Sequence, residues 1–178
     1  AMLKMMAVKT NGPPTRLARW CCEKYKEHGG KGLAKVIGIR ISESARRARM
    51  WSEFVRQRKD ANAFVLCPIA YWTDADVWEF HRLRKIPHCS LYDEGFKRLG
   101  CIGCPLAGPN HQRVEFARWP KYERAWRLAF DRFWQRHSGI PSSRGPRKGL
   151  PRWFEHFGSA QGLWDWWISG KDQGSGPQ

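Results

Sequence analysis

Residues 33–83 decide the fold, and they read LAKVIGIRISESARRARMWSEFVRQRKDANAFVLCPIAYWTDADVWEFHRL. The apolar run at 33–39 is bounded by glycine and rich in β-branched residues, which predicts a buried strand. Apolar residues at helical spacing predict a helix over 45–59, a second strand fits 63–66, and a hydroxyl N-cap predicts a helix over 73–83. Strand, helix, strand and helix in this order predict an α/β fold with a parallel sheet.

The rest of the chain extends this layer. A chain of 178 residues is long enough for one domain with its own core. An apolar stripe after Pro120 predicts a long helix, and a short helix over 16–28 carries a pair of cysteines. The predicted organisation is an incomplete N-terminal segment at 1–14, an α/β domain at 15–110, a Trp- and Arg-rich helical extension at 111–169 and a disordered tail at 170–178.

The chain is strongly basic. It has 32 Lys and Arg against 16 Asp and Glu, which gives a formal net charge of +16 at pH 7. Such a charge attracts phosphates, nucleic acid or acidic surfaces, and it also serves simply to solvate a surface. Charge alone does not choose among these partners.

The cysteines indicate metal or catalytic chemistry. No window approaches the about 18 apolar residues of a membrane-spanning helix, and the N-terminus lacks the apolar region and cleavage site of a signal peptide. We therefore expect a cytoplasmic protein without a membrane partner, in which the six cysteines stay reduced. Cysteines in that setting more often bind metals or react than form disulfides.

Four of these cysteines form two close pairs. Cys101 and Cys104 lie one tight turn apart and can bind the same metal, with Gly103 relieving the backbone. Cys21 and Cys22 are adjacent, which suits a multi-iron cluster better than a tetrahedral zinc site. From the residues alone, an iron–sulfur cluster, zinc, and unligated or redox-active thiols all stay open.

A series of motifs over about residues 16–106 resembles the phosphoadenosine-phosphosulfate (PAPS) and adenylyl-sulfate (APS) reductase family. Their order and spacing carry the resemblance more than any single motif does. They are, in chain order, Cys21-Cys22; Gly38-Ile39-Arg40 with Ser44 and Arg47, as G-x-R and S-x-x-R; Pro68 to Trp78, as a proline followed by W-T-x-x-D-V-W; Ile86-Pro87 with Leu91-Tyr92-Asp93 and Gly95; and Gly100-Cys101-Ile102-Gly103-Cys104, as G-C-x-x-C.

The resemblance implies an adenine nucleotide alpha-hydrolase-like fold, a PP-loop, Rossmann-like parallel sheet that is incomplete here and is followed by a helical extension. In iron–sulfur members of the family, a Cys-Cys pair and a later C-x-x-C hold one [4Fe-4S] cluster. The same is implied for Cys21, Cys22, Cys101 and Cys104, with zinc as the alternative. The implied activity is sulfur transfer or redox chemistry, with ATP, APS or PAPS as substrate and a reductant protein as partner.

The resemblance also assigns candidate anion ligands. The family's G-x-R segment contacts the phosphate or sulfate end of the nucleotide, and a guanidinium binds phosphate in a bidentate manner. Arg40 and Arg47, with Ser44 between them, are therefore candidates. Lys26, four residues beyond the Cys pair, is a candidate to lie near the cluster or the anion. For each, the alternative is a solvated surface side chain.

Two family features are absent from these 178 residues. The S-G-G-x-D-S loop, which holds the nucleotide through backbone amides, has no counterpart, so we expect a longer protein or a partner chain to supply nucleotide binding. No cysteine follows Cys104, so the tail nucleophile of sulfonucleotide reductases is missing and the catalytic residue is unknown.

A second hypothesis makes the chain a nucleic-acid-binding or nucleic-acid-modifying accessory module in which the metal is structural. Arginines can neutralise phosphates of RNA or DNA, and aromatic faces can stack on bases. Tryptophans at helical spacing are nevertheless more often part of a core, as expected for Trp126 and Trp134. The basic candidates are Arg118, Lys121, Arg124, Arg127, Arg144, Arg147, Lys148 and Arg152.

Overall fold

The computed structural model describes residues 2–8, 12–27, 33–56, 64–142, 149 and 152–171. The chain forms two compact units: a helical unit made of Ala1–Lys24 and Gly100–Gln178, and a sheet unit made of Tyr25–Leu99. The division predicted from the sequence, into segments 1–14, 15–110, 111–169 and 170–178, stays a prediction. Among the described residues, no helix has both the length and the apolarity to cross a bilayer.

The sheet unit contains a small mixed sheet, so the α/β class is confirmed. Its strands are β1 (Lys35–Val36), β2 (Phe54–Arg56) and β3 (Phe64–Leu66), in the order β1-β3-β2. Strand β1 runs parallel to β3, with Val36 opposite Leu66. Strand β2 runs antiparallel to β3, with Val55 opposite Val65. The expected wholly parallel sheet is therefore wrong at β2.

The antiparallel strand interrupts the helix predicted over 45–59. Helix α3 covers only Ala45–Met50, and Trp51 is already extended. Phe54 and Val55 then pair with β3, because aromatic and β-branched side chains pack well on a pleated surface and tertiary pairing overrides local helical spacing. The strand predicted at 33–39 is also shorter, since the ladder keeps only Lys35–Val36.

The other local predictions in this unit hold. Strand β3 lies within the predicted 63–66, of which residue 63 is outside the described residues. Helix α4 covers Asp74–Arg84 and begins at a capping box, in which Thr73 and Asp76 each bond the other's backbone N–H. Hydrogen bonds from Thr73 to the Asp76 carboxylate lower the pKa of Asp76, and the bond from the Thr73 backbone has the larger effect. Cys67 is fully buried beside Val65 in the small core, as expected for a cysteine acting as a hydrophobe.

The helical unit surrounds an aromatic core. The short helix predicted over 16–28 is a single α-turn, α2 (Trp20–Cys22), that continues as a π-helix over Glu23–Glu27. Helix α6 (Pro120–His137) confirms the apolar stripe predicted after Pro120, and it buries Phe130 and Phe133. Trp126 is buried and Trp134 packs partly buried against the core, so their predicted core role is confirmed. The helices are α1 (Met2–Val8), α2 (Trp20–Cys22), α5 (Pro109–Arg118), α6 (Pro120–His137) and α7 (Ala160–Ser169).

The start of the chain belongs to this aromatic core. The indole N–H of Trp167, which is fully buried, donates to the carbonyl of Pro14 at 2.7 Å. Met6 on α1 packs in the same core, and Gly12 lies against the ring of Trp153. These contacts place the segment before Cys21 against helices that come more than a hundred residues later.

Candidate metal centre

All four predicted metal ligands lie in the helical unit. Cys21 and Cys22 end helix α2 and are half-buried. Cys101 is exposed and Cys104 is half-buried, and the turn between them closes through the Cys104 N–H, which donates to the Cys101 carbonyl at 3.0 Å. The first pair and the later turn thus belong to one compact body.

Electrostatics connect the two pairs. Burial raises the pKa of the Cys21 thiol from 9.0 to about 11, and Cys22 and, more weakly, Cys104 contribute to the increase. Cys104 therefore lies within electrostatic range of Cys21. Within the described ranges, no three His, Cys, Asp or Glu side chains have the mutual spacing of a closed metal site.

The donor set fits a thiolate-bound metal. Thiolates are the ligands preferred by iron–sulfur clusters and by structural zinc. Burial, and then repulsion from Cys22 and, more weakly, from Cys104, raise the energy of the Cys21 thiolate, as the raised pKa of Cys21 indicates. A bound cation offsets this repulsion and holds the thiols deprotonated.

The later turn is held by side chains that the sequence analysis did not single out. The Gly103 N–H donates to Glu115 Oε2 at 2.7 Å, and Gln112 Nε2 donates to the Gly103 carbonyl at 3.1 Å. The indole N–H of Trp126 donates to the Ile102 carbonyl at 3.1 Å. We call Gln112, Glu115 and Trp126 the turn clamp.

Gly103 is the point of closest approach between this turn and the core. Its φ of +74° is a conformation that favours glycine. A Cβ atom at this position would lie 2.5 Å from Phe116 Cζ and 2.8 Å from Trp126 Nε1. The glycine of the C-x-x-C turn therefore serves both backbone conformation and packing.

In the sheet unit, Arg40 is a largely buried cation with spare hydrogen-bonding capacity. Its Nη2 contacts Asp74 Oδ1 at 2.6 Å, and its Nε lies 3.5 Å from Glu43 Oε1. Its Nη1 is buried, and no hydrogen-bond partner for this atom occurs among the described residues. A buried unsatisfied donor costs about 1–3 kcal/mol, which an anion bound there would recover.

Arg47 lies within electrostatic range of both Arg40 and Arg98. Burial lowers the pKa of Arg47, and the charges of Arg98 and Arg40 lower it further. Arg47 is also ion-paired with Glu43. The structure thus groups the two predicted arginines and adds Arg98, which the motif comparison did not single out.

The other two predicted anion ligands, Ser44 and Lys26, are not part of this arginine group. The hydroxyl of Ser44 accepts the Arg47 N–H at 3.2 Å as the N-cap of α3. Ser44 therefore has a structural role that explains its position in the S-x-x-R motif. Lys26 is exposed on the π-helix Glu23–Glu27, and its predicted role stays a prediction.

The basic candidates of the helical extension differ in how free they are. Arg124 is exposed on α6. Arg127 pairs with Glu123 at 2.8 Å and covers the buried ring of Trp164 at 4.6 Å. Arg152 donates from Nε to the Ile140 carbonyl at 2.9 Å. Three candidates lie outside the described residues: Arg144, Arg147 and Lys148.

Comparison with known proteins agrees with these motifs. The family description "Phosphoadenosine phosphosulfate reductase domain" matches residues 4–107, more than half of the chain. An uncharacterized protein of Methanocaldococcus jannaschii is 28% identical over 160 residues, which cover 82% of this chain and 32% of that protein. No solved structure matches the chain.

Other relatives are named as reductases, among them one from Staphylococcus haemolyticus and one from Bacillus subtilis. An adenosine 5'-phosphosulfate reductase of Staphylococcus haemolyticus is 26% identical over 109 residues, covering 58% of this chain and 44% of the relative. Adenosine 5'-phosphosulfate reductase 2 of Bacillus subtilis is 28% identical over the same length, covering 58% and 45%. The chain spans less than half of the length of each of these relatives. Because the family match includes both cysteine pairs and the arginine motifs, the chain belongs to the phosphoadenosine phosphosulfate reductase family.

Proposed function

We propose that this chain provides the metal-binding part of an enzyme that acts on a sulfonucleotide, with Cys21, Cys22, Cys101 and Cys104 holding a [4Fe-4S] cluster, or zinc as the alternative. The observation that carries the proposal is that the family match over residues 4–107 includes both cysteine pairs, which also lie within one compact unit of the structure. Six free thiols are compatible with a reducing, cytoplasmic setting.

The arginine group of the sheet unit supports a role in anion binding. Arg40, Arg47 and Arg98 bring three positive charges together, while Glu43 and Asp74 neutralise part of them. We propose that the phosphate or sulfate end of ATP, APS or PAPS binds here, with Arg40 Nη1 as a donor. A bound cluster would supply a redox-active centre to the same enzyme.

The remaining parts of the enzyme are also proposals. These 178 residues contain neither a phosphate loop nor a cysteine after Cys104. We therefore propose that a further part of a longer protein, or a partner chain, supplies the phosphate loop and any attacking thiol. That polypeptide would complete a PP-loop, Rossmann-like sheet of which β1 and β3 are the parallel part. A reductant protein would restore the thiols after turnover.

Metal analysis tests this proposal. We expect wild-type protein purified without oxygen to contain about four iron and four sulfide per chain, the composition of one [4Fe-4S] cluster. Cys101→Ser should lose most of both, because a hydroxyl is a poor ligand for iron–sulfur centres. Cys89→Ser is the matched control, since Cys89 is also exposed but is not among the proposed ligands, and it should keep the metal.

Zinc is measured in parallel on the same samples. One zinc per chain without sulfide would keep the thiolate centre and reject the cluster. Neither metal in wild-type protein, or equal metal in Cys101→Ser and Cys89→Ser, would reject the centre itself.

A second candidate function, nucleic-acid binding, is favoured by one observation. Lys121, Arg124 and Arg132 are exposed and recur at helical spacing along α6. If they contact phosphates, affinity for single-stranded RNA or DNA should fall steeply with salt, and Lys121→Ala with Arg124→Ala should reduce the slope of log K against log salt by about 1–2. Gel shifts over a salt series measure this, with exposed Lys97→Ala as the control. An unchanged slope would exclude this face.

A further inference from the structure

We infer that the turn clamp, Gln112, Glu115 and Trp126, positions Cys101 and Cys104 as metal ligands, so that the ligand geometry depends on helices α5 and α6 as much as on the C-x-x-C motif. The inference rests on the proposed function, because it concerns the same centre. It adds three positioning residues that are not among the proposed ligands.

The clamp satisfies the polar backbone between the two cysteines. Glu115 accepts the Gly103 N–H, Gln112 donates to the Gly103 carbonyl, and Trp126 donates to the preceding carbonyl, that of Ile102. Gln112 and Glu115 are three residues apart and share one face of α5. The turn is therefore held at three consecutive polar groups from two helices.

Burial makes these hydrogen bonds costly to lose. Gln112 is 1% exposed, Glu115 4% and Trp126 2%. Polar groups as buried as these are retained where they have hydrogen-bond partners, and the turn supplies those partners. Removing one clamp side chain leaves a buried backbone group unsatisfied, and the turn can recover that hydrogen bond only by moving. Any such movement changes the distance between the two Sγ atoms.

Glu115 also decides where the Gly103 N–H points. Backbone N–H groups near a metal thiolate tune the centre when they donate to sulfur. Here the Gly103 N–H is committed to a carboxylate oxygen, whose other oxygen lies 3.3 Å from His111 Nε2. The clamp thus places a carboxylate, not only a hydrogen-bond acceptor, behind the ligand turn.

Four variants test the clamp after anaerobic reconstitution with ferrous iron and sulfide. Glu115→Ala and Gln112→Ala each remove one hydrogen bond, and Trp126→Phe removes the donor but keeps a ring. Glu115→Gln keeps an oxygen that can accept the Gly103 N–H. Glu123→Gln is the matched control, because Glu123 is a half-buried carboxylate that pairs with Arg127 and does not contact the turn.

We expect Glu115→Ala, Gln112→Ala and Trp126→Phe to lose iron to a chelator roughly 10–100-fold faster than wild type, the usual effect of removing a partner behind a ligand. Glu115→Gln should restore the retention of iron. Its cluster should nevertheless have a higher reduction potential, because a negative charge that disfavours reduction is gone. Visible absorbance follows the loss of iron, and a redox titration gives the potential.

The outcomes separate the inference from the function. Wild type that binds neither iron nor zinc would overturn both. If wild type binds metal, and Glu115→Ala, Gln112→Ala and Trp126→Phe all retain it as well as Glu123→Gln does, only the clamp is overturned. If wild type binds zinc, the same variants are loaded with Co²⁺ as a spectroscopic probe. The visible spectrum of bound Co²⁺ must then differ from wild type in the clamp variants and not in the control. Should Glu115→Ala fail to fold, Trp126→Phe and the potential of Glu115→Gln decide.

Discussion

Gly103→Ala will destabilise the helical unit by about 2–5 kcal/mol and will reduce metal retention. A non-glycine residue at the Gly103 φ of +74° costs about 1–2 kcal/mol. Forcing a methyl group to within 2.5 Å of Phe116 and 2.8 Å of Trp126 adds about 1–3 kcal/mol of overpacking, because both rings are buried and cannot move freely. Urea unfolding followed by circular dichroism measures the loss of stability.

Gly158→Ala is the matched control for this prediction. Gly158 belongs to the same unit and has a φ of +73°, but among the described residues, apart from its two chain neighbours, no atom lies within 4 Å of the position of its missing Cβ. It should therefore show only the conformational cost of about 1–2 kcal/mol. Equal losses in the two variants would mean that the core yields around residue 103, and the close packing described for the turn would be wrong.

Trp167→Ala will lower the free energy of unfolding by about 3–5 kcal/mol, which is the usual range for emptying a buried tryptophan site. The ring is fully buried, with centroids 4.8 Å from Trp126 and 5.3 Å from Phe130. The substitution also leaves the buried Pro14 carbonyl without its donor. Since this bond ties the segment before Cys21 to α7, the loss should extend to iron retention. Chemical denaturation and iron analysis on the same preparation check both effects.

Trp167→Phe separates packing from the hydrogen bond. It keeps most of the buried area, so we expect a loss of about 1–3 kcal/mol from the unsatisfied carbonyl. A Phe variant as unstable as the Ala variant would assign the effect to the bond with Pro14. An Ala variant within about 1 kcal/mol of wild type would contradict the placement of this ring in the core.

Local sequence signals predicted those parts of the fold whose causes are local. Helix α4 follows from its capping box, and helix α6 from its apolar stripe, because both signals lie within the element. Strand β2 was missed, since its formation depends on pairing with β3 across a connection and not on its own spacing. The same long-range dependence shortens β1 to two residues.

In the candidate site, sequence motifs predicted the proposed ligands, whereas the residues that hold those ligands in place became visible only in the structure. The two cysteine pairs and Arg40 stand out because each belongs to a recognisable pattern. Gln112 and Glu115 do not, since two polar residues three apart on a helix usually indicate a solvated face. Only the approach of α5 to the turn buries them. Arg98 likewise becomes a candidate only through its interaction with Arg47, which no linear pattern encodes.

The helical unit is built from two separate stretches of sequence, Ala1–Lys24 and Gly100–Gln178, and the residues of the sheet unit come between them in the sequence. During synthesis, Cys21 and Cys22 leave the ribosome well before the turn that contains Cys104, and before the tryptophans of α6 and α7 that bury the first segment. Contacts of such high sequence separation form late. In a newly made chain, Cys21 and Cys22 would therefore stay exposed until α6 and α7 have been synthesised, so the helical unit would close only after the whole sheet unit has been made.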